Sequence, residues 1–200
     1  MLYLLDRNSR TTLSKVAKSL KTSEQRVSYN LKSMTKKRQI KHYATVFDYA
    51  KFDYNAYLVL LRIIHKNKES SQKIVQDLKE LPEVVRIESL QGKFDISALF
   101  LSPNPSSFNK TLKKFISEHK ETIKENHICT VIVMHKYGRQ YLNPWMKSGT
   151  EDMVIGGDRS PVKLSDSEEL TCGALLEKPE AKFKELNKMT GLTFKTVSSK

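Results

Sequence analysis

Between Thr12 and Met34 the chain carries two helix-length apolar stripes separated by only a few polar residues, and no other feature restricts the local fold as much. Leu13, Val16, Ala17 and Leu20 recur at three- and four-residue spacing and make one buried stripe, leaving Lys15, Lys18 and Lys21 outside. Thr12 is placed to cap that helix and Ser23 the next, whose inward positions are Val27, Leu31 and Met34. A connection this short forces the two helices to cross closely. A clipped helix built on Leu2, Leu4 and Leu5 precedes them and ends near Asn8-Ser9-Arg10. A basic end follows them, Lys36-Lys37-Arg38, and then an alternating stretch from Ile40 to Phe47. In it Ile40, Ala44 and Val46 share one side and Lys41, Tyr43 and Thr45 the other, as in a half-exposed pair of wing strands. The expectation for residues 1–53 is a winged helix-turn-helix.

Charge indicates what such a unit would meet. The chain has a formal net charge of +13. Residues 1–53 hold twelve Lys or Arg against four Asp or Glu, a net of +8, so over half the excess sits in about a quarter of the sequence. A concentration of this kind favours a polyanion, through neutralised phosphates and released counterions. The second of two crossing helices fits the major groove, where base edges carry a distinct donor and acceptor code. Its outward residues here are Glu24, Gln25, Arg26, Ser28, Tyr29 and Lys32. Arg26 has the fork to pair with guanine and Gln25 the amide to match adenine; a phosphate contact or plain solubility is the alternative for each. Ser28 and Tyr29 offer hydroxyls to phosphates or base edges, and Tyr29 equally suits packing against the wing. Lys32, Lys36, Lys37 and Arg38 suit positioning on the phosphate backbone, or a solvated helix end favoured by the dipole. Glu24 belongs at a helix start and away from phosphates.

From Asn55 the character changes. Tyr57 to Ile64 reads as a strand, and Ile74, Val75, Leu78 and Leu81 mark a helix closed by Pro82. Val84 to Leu90 and Asp95 to Leu101 alternate around a turn at Gln91-Gly92-Lys93, a hairpin. Pro103 and Pro105 lead into a helix with Phe108, Leu112, Phe115 and Ile116 on one face, and Ile128 to Met134 is strand-like again. The order β-α-β-β-α-β over residues 54–141 predicts a ferredoxin-like α+β domain, with four strands in one antiparallel sheet and both helices on one side. Its open face, with Leu58 or Leu60, Val85 or Ile87, and Ile132, calls for a second subunit as cover. The strands are aliphatic and lack the exposed aromatics of RNA-binding sheets. His42, His65, His119, His127 and His135 lack zinc-motif spacing, and Cys129 and Cys172 make no disulfide framework, so neither metal nor cofactor is expected. No apolar stretch is long enough for a membrane span and the first residues lack a signal-peptide pattern, so a cytoplasmic protein is expected.

The segments Thr12–Leu20, Thr22-Ser23-Glu24-Gln25-Arg26-Val27 and Ile40–Asp48 resemble the DNA-binding half of the leucine-responsive/asparagine regulators, the feast/famine family. Leu81-Pro82-Glu83-Val84-Val85 and Gly92-Lys93-Phe94-Asp95 resemble the family's effector domain at the corresponding places, and the likeness covers roughly residues 1–141. It implies dimers that assemble further, bind double-stranded DNA through the third helix and often sense an amino acid. By that resemblance Gly92, Phe94 and Asp95 become effector-binding candidates. On their own terms Gly92 suits a turn with positive φ, Phe94 the core, and Asp95 a cap or a pairing with lysine.

Beyond Lys136-Tyr137-Gly138-Arg139, where such regulators usually stop, the sequence continues. Residues 142–165 read as a linker, with Trp145, Met146, Met153, Val154 and Ile155 able to dock locally. Helical spacing returns at Leu170, Leu175 and Leu176 and again at Phe183, Leu186 and Met189. A shift of 170 positions aligns Leu13 with Phe183, Val16 with Leu186, Ser23 with Thr193 and Val27 with Val197. Residues 166–200 are therefore expected to form a partial or truncated second helix-turn-helix, fraying beyond about Thr193 if truncated.

The leading expectation is a sequence-specific, non-enzymatic transcriptional regulator acting as a dimer or higher oligomer, with a possible small-molecule effector. An architectural protein that wraps or bridges DNA with low specificity is the second class. A ligand-binding or enzymatic α/β protein with a vestigial DNA-binding head is the third.

Overall fold

The computed structural model describes residues 1–64, 68–137 and 153–198. The expectations for His65, Gly138, Arg139, Trp145 and Met146 fall outside these residues. The chain divides into two compact units, one built from both ends of the sequence and one from its middle.

The first unit begins with α1 (Leu2–Arg7), α2 (Leu13–Ser19) and α3 (Glu24–Lys36). The expected stripes meet: Val16, Ala17 and Val27 are buried, with Met1, Leu4, Leu13 and Leu20 packed on them. Both caps form. The Thr12 hydroxyl oxygen accepts from the Lys15 N–H at 3.4 Å and that of Ser23 from the Arg26 N–H at 3.3 Å, which satisfies one free donor at each helix start. Lys21 takes a left-handed φ of 50° and sets the turn between α2 and α3.

In the second unit a single 3-10 turn, Tyr49–Phe52, leads into β1 (Asn55–Ile63), α4 (Lys68–Glu80), β2 (Val84–Ser89), β3 (Ile96–Ser102), α5 (Pro105–Glu118) and β4 (Ile123–Val131). The four strands stand in the order β2-β3-β1-β4, every pair antiparallel. This is the expected split βαβ arrangement. Tyr57, Val59, Leu61, Ile96, Ala98 and Phe100 point to the helix side and pack on Ile74, Leu78, Phe108, Leu112 and Phe115. Tyr57 and Phe108 stack at 4.0 Å between centroids. α5 is capped by Asn104, whose side-chain oxygen accepts from the Ser107 N–H at 2.8 Å, with Pro105 directly following.

Three expectations need correction. The last strand of the sheet starts at Ile123 rather than Ile128, pairing with β1 from Ile63↔Ile123 to Ala56↔Val131, because β4 is an edge strand whose exposed positions tolerate Lys124, Asn126 and His127. The stretch predicted as a linker contains a strand: β5 (Val133–Lys136) pairs with β6 (Met153–Gly156), and Ile155 of β6 is buried with Tyr49, Ala56 and Leu99. The open face of the sheet is thus covered at one end by the chain's own Tyr49 and Ile155, while Val85, 53% exposed, and Ile132, 77% exposed, stay uncovered in the single chain. Leu58 joins that small cluster, and Ile87 packs toward the helix side.

The first unit ends with α6 (Asp166–Glu177), α7 (Phe183–Thr190) and α8 (Phe194–Ser198), packed around Ala174, Ala181, Leu186 and Val197. Phe194–Ser198 is helical, with Val197 buried and the Thr193 hydroxyl oxygen accepting from the Thr196 N–H at 3.3 Å. The third correction concerns the wing. Residues 41–48 form no strand, and the Thr45 hydroxyl instead donates to the Leu175 carbonyl at 2.7 Å. Alternation alone does not make a ladder, for which each strand needs a paired neighbour.

Candidate nucleic-acid interface

The α3 helix owes its exposed face to its single narrow apolar stripe. Val27 is buried and Leu31 and Met34 are half-buried, which leaves Glu24, Gln25, Arg26, Tyr29 and Lys32 in solvent. Ser28 is half-buried beside them and Tyr29 is 73% exposed, free of the packing that was its alternative role. Lys36 closes the helix, followed by Lys37 and by Arg38, whose φ of 55° turns the chain away. The eight candidate residues Gln25, Arg26, Ser28, Tyr29, Lys32, Lys36, Lys37 and Arg38 thus lie on one helix and its C-terminal turn. Lys15, Lys18 and Lys21 are likewise exposed on α2 and the turn after it. The only acid on α3 is Glu24, in its first turn, where the helix dipole favours a negative charge. A helix of this width bearing amide, guanidinium, phenol and ammonium groups toward solvent has the donors that major-groove edges and phosphates accept.

The other candidate group lies in the second unit, on the turn between β2 and β3. Gly92 has φ 128°, a conformation that side chains resist. The Asp95 carboxylate accepts from the Ile63 N–H at 2.7 Å and the Asp95 N–H donates to the Leu61 carbonyl at 2.9 Å. Ile63 sits where the β1–β4 register shifts, so Asp95 supplies a partner to a backbone group at that irregularity. Phe94 is half-buried and meets the His127 ring edge-on at 5.0 Å. Sequence spacing missed the cluster around it: Glu125 lies 2.9 Å from Lys93, 2.9 Å from His127 and 3.8 Å from Arg62. The Lys93 and His127 hydrogen bonds hold the Glu125 carboxyl below the usual carboxylate range. These residues come from β1, β4 and the turn, and only the strand register brings them together. The sequence offered one hint, the alternation of Glu125, His127 and Cys129 on one face of β4.

No family model matches the chain. Its sequence is 25% identical over 134 residues to an HTH-type transcriptional regulator of Pyrococcus horikoshii, covering 67% of this chain and 87% of that one. It is 27% identical over 125 residues to another HTH-type transcriptional regulator, from Pyrococcus furiosus, covering 62% of this chain and 79% of that one. Among solved structures it matches an AsnC family transcriptional regulator from Agrobacterium tumefaciens with a TM-score of 0.59 at 19% identity, over 69% of this chain and 90% of that one. A transcriptional regulator from Neisseria meningitidis, solved as a complex with L-methionine, matches with a TM-score of 0.57 at 17% identity, over 65% of this chain and 84% of that one.

Proposed function

We propose that this chain, which has the fold of the AsnC-family transcriptional regulators, is itself a sequence-specific DNA-binding regulator that inserts α3 into the major groove of double-stranded DNA. The observation that carries this reading is the exposed row Gln25, Arg26, Tyr29 and Lys32 on a helix fixed from behind by Val27. Arg26 and Gln25 read base edges, while Lys32, Lys36, Lys37 and Arg38 hold the phosphates and Ser28 and Tyr29 add hydroxyl contacts. The protein acts as a dimer or higher oligomer, with Val85 and Ile132 in the surface that a second copy covers. The turn at Gly92, Phe94 and Asp95 is the place for a small effector such as an amino acid, a reading supported by the methionine complex of the Neisseria structure. The role assigned is regulatory rather than catalytic, and its site of action is the cytoplasm. No helix among the described residues is long and apolar enough to cross a membrane.

The test is selection of genomic fragments by the full chain, followed by quantitative binding to the enriched fragment and to a scrambled duplex at two salt concentrations. A strong preference lost on neutralising Arg26 and Lys32 supports the reading. Equal, salt-sensitive binding to both duplexes points to an architectural protein, and no binding to either overturns DNA recognition.

A further inference from the structure

The two ends of the chain repeat one geometry at a constant offset. α2 starts at Leu13 and α7 at Phe183; α3 starts at Glu24 and α8 at Phe194, so both pairs are separated by 170 positions. At the same offset Lys21 and Gly191 both take left-handed backbone, with φ of 50° and 70°, in the turn between the helices. Ser23 and Thr193 both cap the second helix, each accepting from the N–H three residues on at 3.3 Å. Val16 and Leu186 are buried at equivalent places, and so are Val27 and Val197. Helix starts, turn conformation, cap and core positions are independent features, and all of them coincide.

Charge is sorted within the C-terminal helices. All the ionisable acids of α6, Asp166, Glu168, Glu169 and Glu177, lie on that helix with no lysine or arginine among them. α7 and α8 expose Lys184, Lys188 and Lys195 beside Thr193 and Ser198. Glu185, the one carboxylate on these two helices, is occupied by Lys178 at 2.6 Å and by the Lys182 N–H at 3.0 Å. The helices that correspond to the α2–α3 pair of the first head are therefore the basic ones, and α6 is the acidic one, with Glu177 bordering Lys188.

We propose that residues 166–198 form a second DNA-binding head, in which Lys184, Lys188 and Lys195 contact duplex phosphates while α8 approaches the groove. Each subunit then carries two reading heads, and one chain engages two duplex segments. This rests on the DNA-binding function proposed above. The apolar surface at Phe183 and Phe194, whose rings meet at 5.2 Å, braces the two helices against each other.

The experiment measures affinity of the full chain for a fluorescent duplex across a salt series, for wild type, for Arg26→Ala/Lys32→Ala, for Lys184→Gln/Lys188→Gln/Lys195→Gln, and for the same three lysines changed to arginine. Each neutralised phosphate contact contributes about 0.9 to the slope of log affinity against log salt, so the Gln variant is expected to lower the slope by roughly 2–3 and weaken binding at least tenfold. The Arg variant restores both. Residual binding of the Arg26→Ala/Lys32→Ala protein disappears when the Gln changes are added. An unchanged slope and affinity in the Gln variant, with binding lost on Arg26→Ala/Lys32→Ala, overturns the second head and leaves the first intact. A wild-type chain that binds no duplex overturns both.

Discussion

Asp48 and Arg159 form an ion pair at 3.0 Å that fastens the segment just after β6 to the turn before β1. The same carboxylate accepts from the Gly156 N–H at 2.8 Å, and Arg159 donates to the carbonyls of Gly156 and Val154, each at 3.1 Å. A further bond, Val162 N–H to the Lys51 carbonyl at 2.8 Å, continues the attachment. Removing Asp48 strips the acceptor from the buried Gly156 N–H and the partner from the exposed Arg159, so Asp48→Ala is expected to cost about 1–3 kcal/mol in denaturant unfolding, most of it from the amide. Asp48→Asn keeps an acceptor for Gly156 and costs less. Hydrogen exchange at the Gly156 and Val162 amides should rise in the Ala variant, and unchanged protection there would show that the pair holds nothing in place.

Gly156 and Gly157 make a matched pair of substitutions. Both have positive φ, 86° and 84°, so an alanine at either bears the strain of left-handed backbone, about 1–2 kcal/mol. Only at Gly156 would the new Cβ run into the Tyr49 hydroxyl; at Gly157 nothing lies within 4 Å. Gly156→Ala is expected to exceed Gly157→Ala by about 1–3 kcal/mol, the usual cost of forcing an atom into a packed place. Adding Tyr49→Phe should recover part of the difference. Equal destabilisation by the two alanines would mean that Tyr49 yields freely.

Much of this fold was legible because separate signals agreed. The stripes at Val16 and Val27, the caps at Thr12 and Ser23, and the apolar run from Tyr57 to Ile64 each predict elements that form. What escaped depended on partners remote in sequence. Residues 41–48 alternate like wing strands, yet Thr45 bonds to Leu175. Val154 and Ile155 sit among glycines and polar residues, and only pairing of β6 with β5 makes them a strand. The exposed row on α3 followed from helical periodicity, whereas the Glu125 cluster required the β1–β4 register, which no local pattern encodes.

Acid should loosen the Glu125 cluster selectively. The Glu125 carboxyl is held below the usual carboxylate range first by its hydrogen bond to Lys93 and then by that to His127. A carboxyl whose folded pKa is depressed contributes stability above its unfolded pKa and loses it as pH falls through the folded value. The difference in stability between wild type and Glu125→Gln is therefore expected to be present near neutrality and to vanish as acid protonates the carboxyl, below the ordinary carboxylate range. Urea midpoints at a series of pH values check this, and a difference that persisted undiminished in strong acid would count against the assigned pairing.

The proposed function divides the residues of α3 and its C-terminal turn into readers and holders, and the two should fail differently. Arg26 is exposed with a planar fork that matches guanine, so Arg26→Ala is expected to cost about 1–3 kcal/mol on the selected fragment and to relax preference at one position of it. Lys36, Lys37 and Arg38 follow the row, exposed at the helix end, and in the proposed function they contact phosphates rather than base edges. Neutralising any one of them should weaken binding to selected and scrambled duplexes alike and lower the salt slope by about 0.9. Competition binding with single-position variants of the selected fragment separates these outcomes. If Arg26→Ala weakened every duplex equally while a change at Lys37 altered base preference, the turn after α3 would be the reading element and α3 itself the support.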